Sequence, residues 1–279
     1  MPEMVEVQTI VDVISPQLLS GKIGKIDVFQ PAVLANRTRE AFEKELTGET
    51  IAEIKRRGKY ILLTFSNGKV MMAHLRMTGG LLVTPKAHPV ALHTHVVWTM
   101  DNGMQLRFSD QRKFVRIWIF ENAEGIDVEG FLHLGPEPFD PLLTEEYLKA
   151  HLSKTGRKIK ECLMDQTIVA GIGNIYSDEI LYCAGIHPAK KANLLTDGEI
   201  KRLSEQIPLV MQYFLAKNAI SAEEHLRTGG KEYRNTPYLR VYGRGGCACL
   251  TCGLKLEKKR IGGRSNVYCP GCQRLDENE

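Results

Sequence analysis

The sequence has no long hydrophobic run. No uninterrupted apolar stretch in its 279 residues approaches the roughly 18 residues that a membrane-spanning helix requires. Residues 1–4 are not a cationic segment followed by an apolar one, so a secretion signal is not expected and we predict a cytoplasmic protein. Aromatic residues make up only 7% of the chain, and internal repeats are lacking. The 43% apolar and 25% charged residues are typical of a globular protein with two ordinary domains.

The seven cysteines are unevenly placed. Four of the seven cysteines form two C-x-x-C pairs separated by sixteen residues, Cys249 with Cys252 and Cys269 with Cys272. This spacing can place four thiolates around one ion, and it predicts a zinc ribbon with a structural Zn²⁺ rather than a disulfide framework. Cys247 could compete for the metal, although a C-x-C pair matches a ribbon less well.

The formal net charge is only +4, but the charges are distributed unevenly. Residues 231–275 contain ten Lys and Arg against two Glu, whereas residues 121–146 contain eight acids and no Lys or Arg. A basic segment around a zinc ribbon is the electrostatic pattern of a polyanion-binding protein, although a charged stretch is more often a solvated surface. Charge alone therefore leaves nucleic-acid binding open.

The spacing of apolar residues predicts an α+β fold. Between residues 7 and 14 the spacing is helical, so we predict an amphipathic first helix with Pro2 in its first turn. Between residues 23 and 120 the period shortens, and the Asn-Gly turns at Asn67 and Asn102 predict hairpins of an antiparallel β-sandwich.

Composition also predicts the domain boundaries. Residues 121–141 are acidic and proline-rich, and we expect a linker without regular structure there. The prediction is an N-terminal β-sandwich domain at 1–120, the linker at 121–141, an all-α domain at 142–230, and a basic loop with the zinc ribbon at 231–279.

Pro2 is the most distinctive candidate nucleophile. Removal of Met1 would expose a secondary amine with a pKa of about 8, against about 10.4 for lysine, so much more of it is neutral at cellular pH. Its attack on an anomeric carbon would form an iminium directly. Glu3 and Glu6 lie on one helix face beside it and could act as an acid and an orienting group. The alternative is that these residues only stabilise the start of the helix, since proline is common at the first helical position and acidic residues are favoured in the first turn.

Four further segments carry residues suited to nucleic acid. Lys59 follows a basic run and could contact a phosphate or carry a proton. Arg112 and Phe114 combine a cation and a ring on one side of an extended segment, as a wedge in a duplex requires. The Gly171-Ile172-Gly173-Asn174 turn could bind phosphate through amides and its asparagine, and Arg264 lies in a glycine-flanked turn of the ribbon. The alternative for the charged segments is an ordinary solvated turn, and the alternative for the glycine turn is a plain connector between two helices.

Together these residues resemble the formamidopyrimidine-DNA glycosylase and endonuclease VIII family of bacterial base-excision repair enzymes. The resemblance extends along the whole chain and rests on an ordered set: Met1-Pro2-Glu3 with Glu6, Gly58-Lys59-Tyr60, His74-Leu75-Arg76-Met77, Leu134-Gly135-Pro136-Glu137-Pro138, Asp165-Gln166, Gly171 to Tyr176, Val241-Tyr242-Gly243-Arg244, and the ribbon with Arg264. It implies a helix-two-turn-helix in the all-α domain. It also implies a monomeric DNA glycosylase and AP lyase that acts on oxidised bases in double-stranded DNA, without a catalytic metal or organic cofactor.

The resemblance implies catalytic roles for matching residues. Pro2 would displace the damaged base and form a Schiff base, Glu3 would assist opening of the sugar, and Glu6 would help position the site. Lys59 would transfer a proton in β-elimination and contact phosphate, and Arg264 would bind phosphate and assist δ-elimination.

The resemblance also implies DNA contacts. Met77, Arg112 and Phe114 would fill the gap left by the flipped nucleotide. His93 would contact DNA, and Asn174 would bind a phosphate.

Three positions depart from the family pattern. Met4-Val5 stands where Leu-Pro is usual, residues 227–239 lack the Gly-Tyr-Phe often found where an oxidised purine is captured, and Lys113 replaces a common arginine. The departures at Met4-Val5 and at residues 227–239 leave open which oxidised base is the substrate. Oxidised purines such as formamidopyrimidines and 8-oxoguanine are favoured, and oxidised pyrimidines are the alternative within the family. A noncatalytic relative that binds abasic or distorted DNA is the alternative outside the enzymes.

Overall fold

The computed structural model describes residues 2–230 and 235–275. In chain order the helices are α1 (Met4–Leu18), α2 (Arg39–Leu46), α3 (Glu129–Leu132), α4 (Glu145–Leu152), α5 (Ile159–Met164), α6 (Asn174–Ala184), α7 (Asp197–Asn218) and α8 (Ala222–Arg227). The strands are β1 (Ile23–Val28), β2 (Ile51–Arg57), β3 (Tyr60–Phe65), β4 (Val70–His74), β5 (Gly79–Pro85), β6 (Thr94–Met100), β7 (Met104–Asp110), β8 (Arg116–Phe120), β9 (Glu257–Ile261) and β10 (Arg264–Tyr268). Within these ranges no helix has the length and apolar character needed to cross a membrane.

The chain forms two compact units. Unit 1 consists of Met1–Val128 with Asn218–Tyr233, and unit 2 consists of Glu129–Lys217 with Arg234–Glu279. The predicted four-segment division assigned residues 218–230 to the all-α domain, whereas the structure groups them with unit 1.

Unit 1 is a sandwich of two antiparallel four-stranded sheets, with strand orders β1-β6-β7-β5 and β2-β3-β4-β8. Apolar side chains from both sheets, α1 and α2 form one buried core. The Phe42 ring of α2 lies 6.0 Å from that of Trp98 in β6. Gly68 and Gly103 have positive φ angles at the hairpin turns predicted from Asn-Gly pairs. The predicted α+β sandwich is confirmed.

Helix α1 begins after Glu3, not at Pro2. Glu3 is the N-cap, with an extended backbone (φ −105°, ψ −171°), and its N–H donates to Glu6 Oε2 at 2.8 Å. Pro2 therefore precedes the cap, and its predicted place in the first helical turn was wrong. The side chain of Glu6 fixes the backbone conformation of the residue that follows the candidate nucleophile.

Hydrogen bonds attach the end of α7 and helix α8 to the rest of unit 1. Asn218 Nδ2 donates to Thr9 Oγ1 of α1 at 2.8 Å. His225 Nε2 of α8 donates to the Leu81 carbonyl of β5 at 3.0 Å. Burial lowers the pKa of His225, which keeps this ring neutral. These contacts fix α8 on the sandwich.

Unit 2 contains helices α3 to α7 and the ribbon hairpin of β9 and β10. The predicted bounds of α5 and α6 agree with the structure, and the turn with two glycines lies between them. Helix α6 ends at Gly185, whose φ of 68° is in the left-handed region that favours glycine. The single turn of α3 lies inside the segment predicted to have no regular structure, so that part of the linker prediction was wrong.

Candidate functional site

Pro2, Glu3 and Glu6 are all buried at the start of α1. Glu3 is 1% exposed and Glu6 is 3% exposed, which is unusual for carboxylates. The positive end of the helix dipole and the N–H group of Glu3 stabilise charge there. The structure thus places two carboxyl groups, excluded from solvent, in the residues that follow the candidate nucleophile, an arrangement suited to acid–base work.

Lys59 lies in the turn between β2 and β3 and is 9% exposed. Arg56 Nη1 donates to the carbonyl of Gly58 at 3.0 Å, and Arg56 Nε donates to Gln8 Oε1 at 2.8 Å. Gly58 adopts a φ of 56°, which allows the tight turn. The arginine therefore connects the turn that carries Lys59 to the second turn of α1.

A neutral histidine stands near Lys59. The His74 ring lies 4.8 Å from that of Tyr60, and its Nδ1 accepts the Arg76 N–H at 3.0 Å. Burial, assisted by the positive charges of Arg76 and Lys59, lowers the pKa of His74 to about 3. In the sequence His74 belongs to a family motif, but no role was predicted for it.

The three predicted insertion residues come together in unit 1. Arg112 Nη1 lies 3.0 Å from Met77 Sδ, and the Arg112 guanidinium lies 4.6 Å from the centre of the Phe114 ring. Met77 and Phe114 are each 47% exposed. Two exposed apolar side chains held by one cation suit insertion into a base stack. We call these three residues the wedge.

His93 lines a cavity of about 310 Å³ in unit 1 that also includes His88 and Arg107. Arg107 is buried, and its guanidinium donates to the carbonyls of His88 at 2.6 Å and Pro89 at 2.7 Å. Burial lowers the pKa of Arg107. The buried arginine thus shapes the loop that carries His93.

Asn174 and the turn with Arg264 meet in unit 2. Asn174 is the first residue of α6, and its Nδ2 donates to the carbonyl of Ser265 at 3.2 Å. Its Oδ1 is buried without a hydrogen-bond partner in the part of the chain that the structure describes. Arg264 is exposed and follows Gly262 and Gly263, whose positive φ angles form a two-residue hairpin turn. A helix N-terminus, an amide and a guanidinium together suit a phosphate.

A buried lysine supports this arrangement. Arg264 lines a cleft of about 210 Å³ with Arg157 and Lys160. Lys160 Nζ donates to the Asn174 carbonyl at 2.9 Å and forms an ion pair with Asp178. Burial raises the pKa of Asp178 to about 6, although the charge of Lys160 opposes this shift. Lys160 was missed in the sequence, where its only signal is a cation between the buried apolar residues of α5.

The four ribbon cysteines converge as predicted. Their Sγ atoms all lie within 4.8 Å of one another, with 3.9 Å between Cys249 and Cys272 and 3.3 Å between Cys252 and Cys269. Tetrahedral zinc with Zn–S bonds of about 2.3 Å requires S···S separations of about 3.8 Å, so these residues fit one Zn²⁺. Cys247 is exposed and does not belong to the group.

Helix α6 holds the ribbon segment through backbone N–H groups. The carboxylate of Glu179 accepts from all three N–H groups of residues 240–242, at distances between 2.9 and 3.1 Å. Asp178 Oδ2 accepts from the Val267 N–H of β10 at 3.1 Å. Adjacent carboxylates on one helix therefore bind the chain shortly before each of the two cysteine pairs.

Three family models match successive parts of the chain. They are the formamidopyrimidine-DNA glycosylase N-terminal domain at residues 1–117, the formamidopyrimidine-DNA glycosylase H2TH domain at residues 134–225, and the zinc finger found in FPG and IleRS at residues 248–275.

Curated relatives match over nearly the full length. The formamidopyrimidine-DNA glycosylase of Pelotomaculum thermopropionicum is 38% identical over 275 residues, covering 99% of this chain and 100% of the relative. The protein of the same name from Moorella thermoacetica is 42% identical over 260 residues, covering 93% and 95%.

Solved structures agree with these matches. Lactococcus lactis formamidopyrimidine-DNA glycosylase, bound non-covalently to DNA with an AP site, has a TM-score of 0.86 and 32% identity, covering 98% of this chain and 100% of its own. MutM in complex with DNA containing carbocyclic 8-oxo-G has a TM-score of 0.88 and 33% identity, with the same coverage.

Proposed function

The chain belongs to the formamidopyrimidine-DNA glycosylase family, and on that premise we propose which of its residues perform the family's reaction. The protein is a DNA glycosylase and AP lyase that excises oxidised bases from double-stranded DNA and then nicks the strand. Its four-cysteine site holds a structural zinc, since four thiolates leave no open coordination position for catalysis.

Pro2 acts as the nucleophile. Its amine attacks C1′ of the damaged nucleotide, the N-glycosidic bond breaks, and the base leaves with a proton. Glu3 protonates the sugar ring oxygen, so that the ring opens and an iminium forms between C1′ and the Pro2 nitrogen. The burial of Glu3 and Glu6 directly after Pro2 is the observation that carries this proposal.

Strand cleavage follows from the iminium, which acidifies the C2′ hydrogen. Removal of that proton expels the 3′ phosphate in β-elimination, and loss of the 5′ phosphate in δ-elimination completes the reaction. Lys59 assists the proton transfer, and Arg264 contacts the phosphate that leaves. The hydrogen bonds of Arg56, which connect the turn that carries Lys59 to α1, support its role.

DNA is held by both units. The wedge of Met77, Arg112 and Phe114 fills the space of the everted nucleotide, and Asn174 binds a backbone phosphate. His93 provides a further DNA contact. The exposure of the wedge side chains supports the first assignment. The position of Asn174 at the N-terminus of α6, beside the turn that carries Arg264, supports the second.

Oxidised purines are the proposed substrates, and the protein acts as a monomer on DNA in the bacterial cytoplasm. The names of the relatives support formamidopyrimidines as one substrate class. Part of the departure at residues 227–239 falls on Lys231 to Arg234, which lie outside the described residues. A lesion panel in which oxidised pyrimidines are excised faster than 8-oxoguanine would favour the alternative within the family.

Borohydride trapping tests the nucleophile. Reduction in the presence of a duplex with one abasic site should leave a covalent adduct, and peptide mass spectrometry should locate it on Pro2. A chain with a retained N-terminal tag is the control, because its Pro2 nitrogen is a peptide nitrogen and should give no adduct. Intact DNA binding without an adduct, with Met1 shown to be absent, would instead support the noncatalytic alternative.

A further inference from the structure

A fully buried carboxylate lies beneath the wedge. Asp110 is the last residue of β7 and is 0% exposed. Its Oδ1 accepts the Thr78 hydroxyl and the Arg112 N–H, the latter at 3.1 Å. Its Oδ2 accepts the Phe114 N–H at 2.6 Å and the Val115 N–H at 3.2 Å. One side chain therefore binds both loops that carry the wedge.

The number and direction of the hydrogen bonds to Asp110 indicate an ionised carboxylate. Such a group only accepts hydrogen bonds and offers about four lone-pair sites, and four donors surround Asp110. Burial acts to raise the pKa of Asp110, but the bonds from Thr78 and the three backbone N–H groups outweigh it and hold the pKa below its ordinary value. Bonds to an ionised acceptor are stronger than bonds between neutral groups.

The backbone of both loops is strained beside the wedge residues. Lys113, between Arg112 and Phe114, has a φ of 58°, and Arg76, next to Met77, has a φ of 54°. Side-chain-bearing residues rarely adopt this left-handed region, and they persist there only when the surrounding contacts determine the conformation. The bonds to Asp110 on both sides of Lys113 supply such contacts.

We propose that Asp110 is a positioning residue that sets Met77, Arg112 and Phe114 for insertion before DNA binds. This inference rests on the insertion role proposed above. Because Thr78 directly follows Met77, the carboxylate fixes the two loops relative to each other as well as the shape of each. A wedge ordered in advance loses less conformational entropy when it enters the stack. The residue thus acts on base eversion and not on the bond-breaking steps.

Two substrates separate eversion from chemistry. A duplex with one 8-oxoguanine requires eversion, whereas a single strand with one abasic site has no base to evert. Asp110→Asn keeps the side-chain shape but replaces an acceptor oxygen by an NH₂ group that faces N–H donors. Single-turnover excision from the duplex should fall about 10-fold, whereas nicking of the abasic single strand should stay within about twofold of the wild type.

A second variant covers the case in which Asp110→Asn unfolds. Thr78→Val is nearly isosteric, removes only the bond to the Met77 loop, and should lower duplex excision by about threefold without changing single-strand nicking. The matched control is Asp101→Asn, since Asp101 is exposed in the turn between β6 and β7 and should behave as the wild type.

The outcomes distinguish the two proposals. Duplex excision as fast as the wild type's in folded Asp110→Asn, or an equal loss on both substrates, would overturn the positioning role. If Asp110→Asn is unfolded at the assay temperature, Thr78→Val provides the test. Wild-type duplex excision in Thr78→Val, or an equal loss on both substrates, would then overturn the positioning role. A wild-type protein that nicks neither substrate would instead contradict the proposed function.

Discussion

The β-sandwich and the zinc ribbon position their candidate residues by different means. In the sandwich, an apolar core from two sheets and two helices supports the wedge and the start of α1. In the ribbon, two of the few buried apolar residues are the metal ligands Cys249 and Cys269. A segment this small lacks the apolar core to fold by packing alone, so bonds to a metal substitute for it. Base excision by Pro2 and Glu3 should therefore be insensitive to zinc, whereas DNA affinity and the phosphate contact of Arg264 should depend on it.

The strongest test of this division replaces Glu3 by glutamine. Base excision should fall by about 10²- to 10⁴-fold, because the amide cannot protonate the sugar oxygen. Affinity for a duplex with an uncleavable abasic-site analogue should change by less than about twofold, since the DNA-holding residues are untouched. Single-turnover rates and equilibrium binding measure the two effects.

Glu124→Gln is the control for this substitution, because Glu124 is exposed in the same unit. A parallel loss of rate and affinity in Glu3→Gln would contradict the separation of chemistry from DNA binding.

A substitution in the zinc ribbon should have an intermediate effect, and on DNA affinity rather than on base excision. Cys269→Ser removes a zinc ligand, and DNA affinity should fall by at least about 10-fold as the turn with Arg264 loses its order. Excision at saturating protein should stay within about twofold of the wild type. Gel-shift titration and single-turnover assays at high protein concentration measure the two quantities.

The matched variant is Cys247→Ser, since Cys247 is exposed and outside the metal group. It should bind zinc and DNA as the wild type does. If the excision rate of Cys269→Ser collapsed even at saturation, the ribbon would contribute to base excision and the division would be wrong.

The smallest expected effect is on the free energy of unfolding at acid pH, to which a histidine contributes in each unit. Burial first, and then the charges of Arg76 and Lys59, lower the pKa of His74 to about 3. Its unfolded-state pKa is about 6.5, so below that pH the unfolded chain takes up a proton that the native chain refuses. The free energy of unfolding should thus decline as pH falls from 6.5 toward 3, by at most about 1.4 kcal/mol per pH unit from this group.

Denaturant titrations at pH 7 and pH 5 measure this slope. His74→Asn should flatten it for the sandwich. In unit 2, burial lowers the pKa of His187 to about 4, and the His187 ring lies 4.6 Å from that of Tyr268 in the ribbon. His187→Asn should therefore flatten the acid response of unit 2 instead. An unchanged slope in both variants would assign the acid sensitivity to other groups.

Local patterns in the sequence predicted much of the fold. The cysteine spacing, the Asn-Gly turns and the apolar periods of α5 and α6 depend on neighbouring residues, and the structure agrees with them. Helix α2 was not predicted, because only Phe42 and Leu46 of its eight residues are buried and its apolar period is short. The extended backbone of Glu3, which moves Pro2 out of the helix, depends on the bond to Glu6.

Candidate residues that act through distant partners could not be predicted. Asp110 meets the Thr78 hydroxyl 32 positions away, and Lys160 meets Asp178 18 positions away. Neither pair shows a spacing typical of a motif, since a sheet register or helix packing brings each together. The predicted site therefore contained the residues proposed to touch DNA and one nearby supporting residue, Glu6, but lacked the supporting residues that are distant in sequence.

The paired carboxylates of α6 have a consequence for metal exchange. Asp178 binds the strand just before Cys269, and Glu179 binds residues 240–242 shortly before Cys249. Each cysteine pair thus follows a segment that is hydrogen-bonded to the same helix, which raises the effective concentration of the four thiolates for a returning ion. Zinc withdrawn by a chelator should return rapidly and restore the ribbon without refolding of the helices.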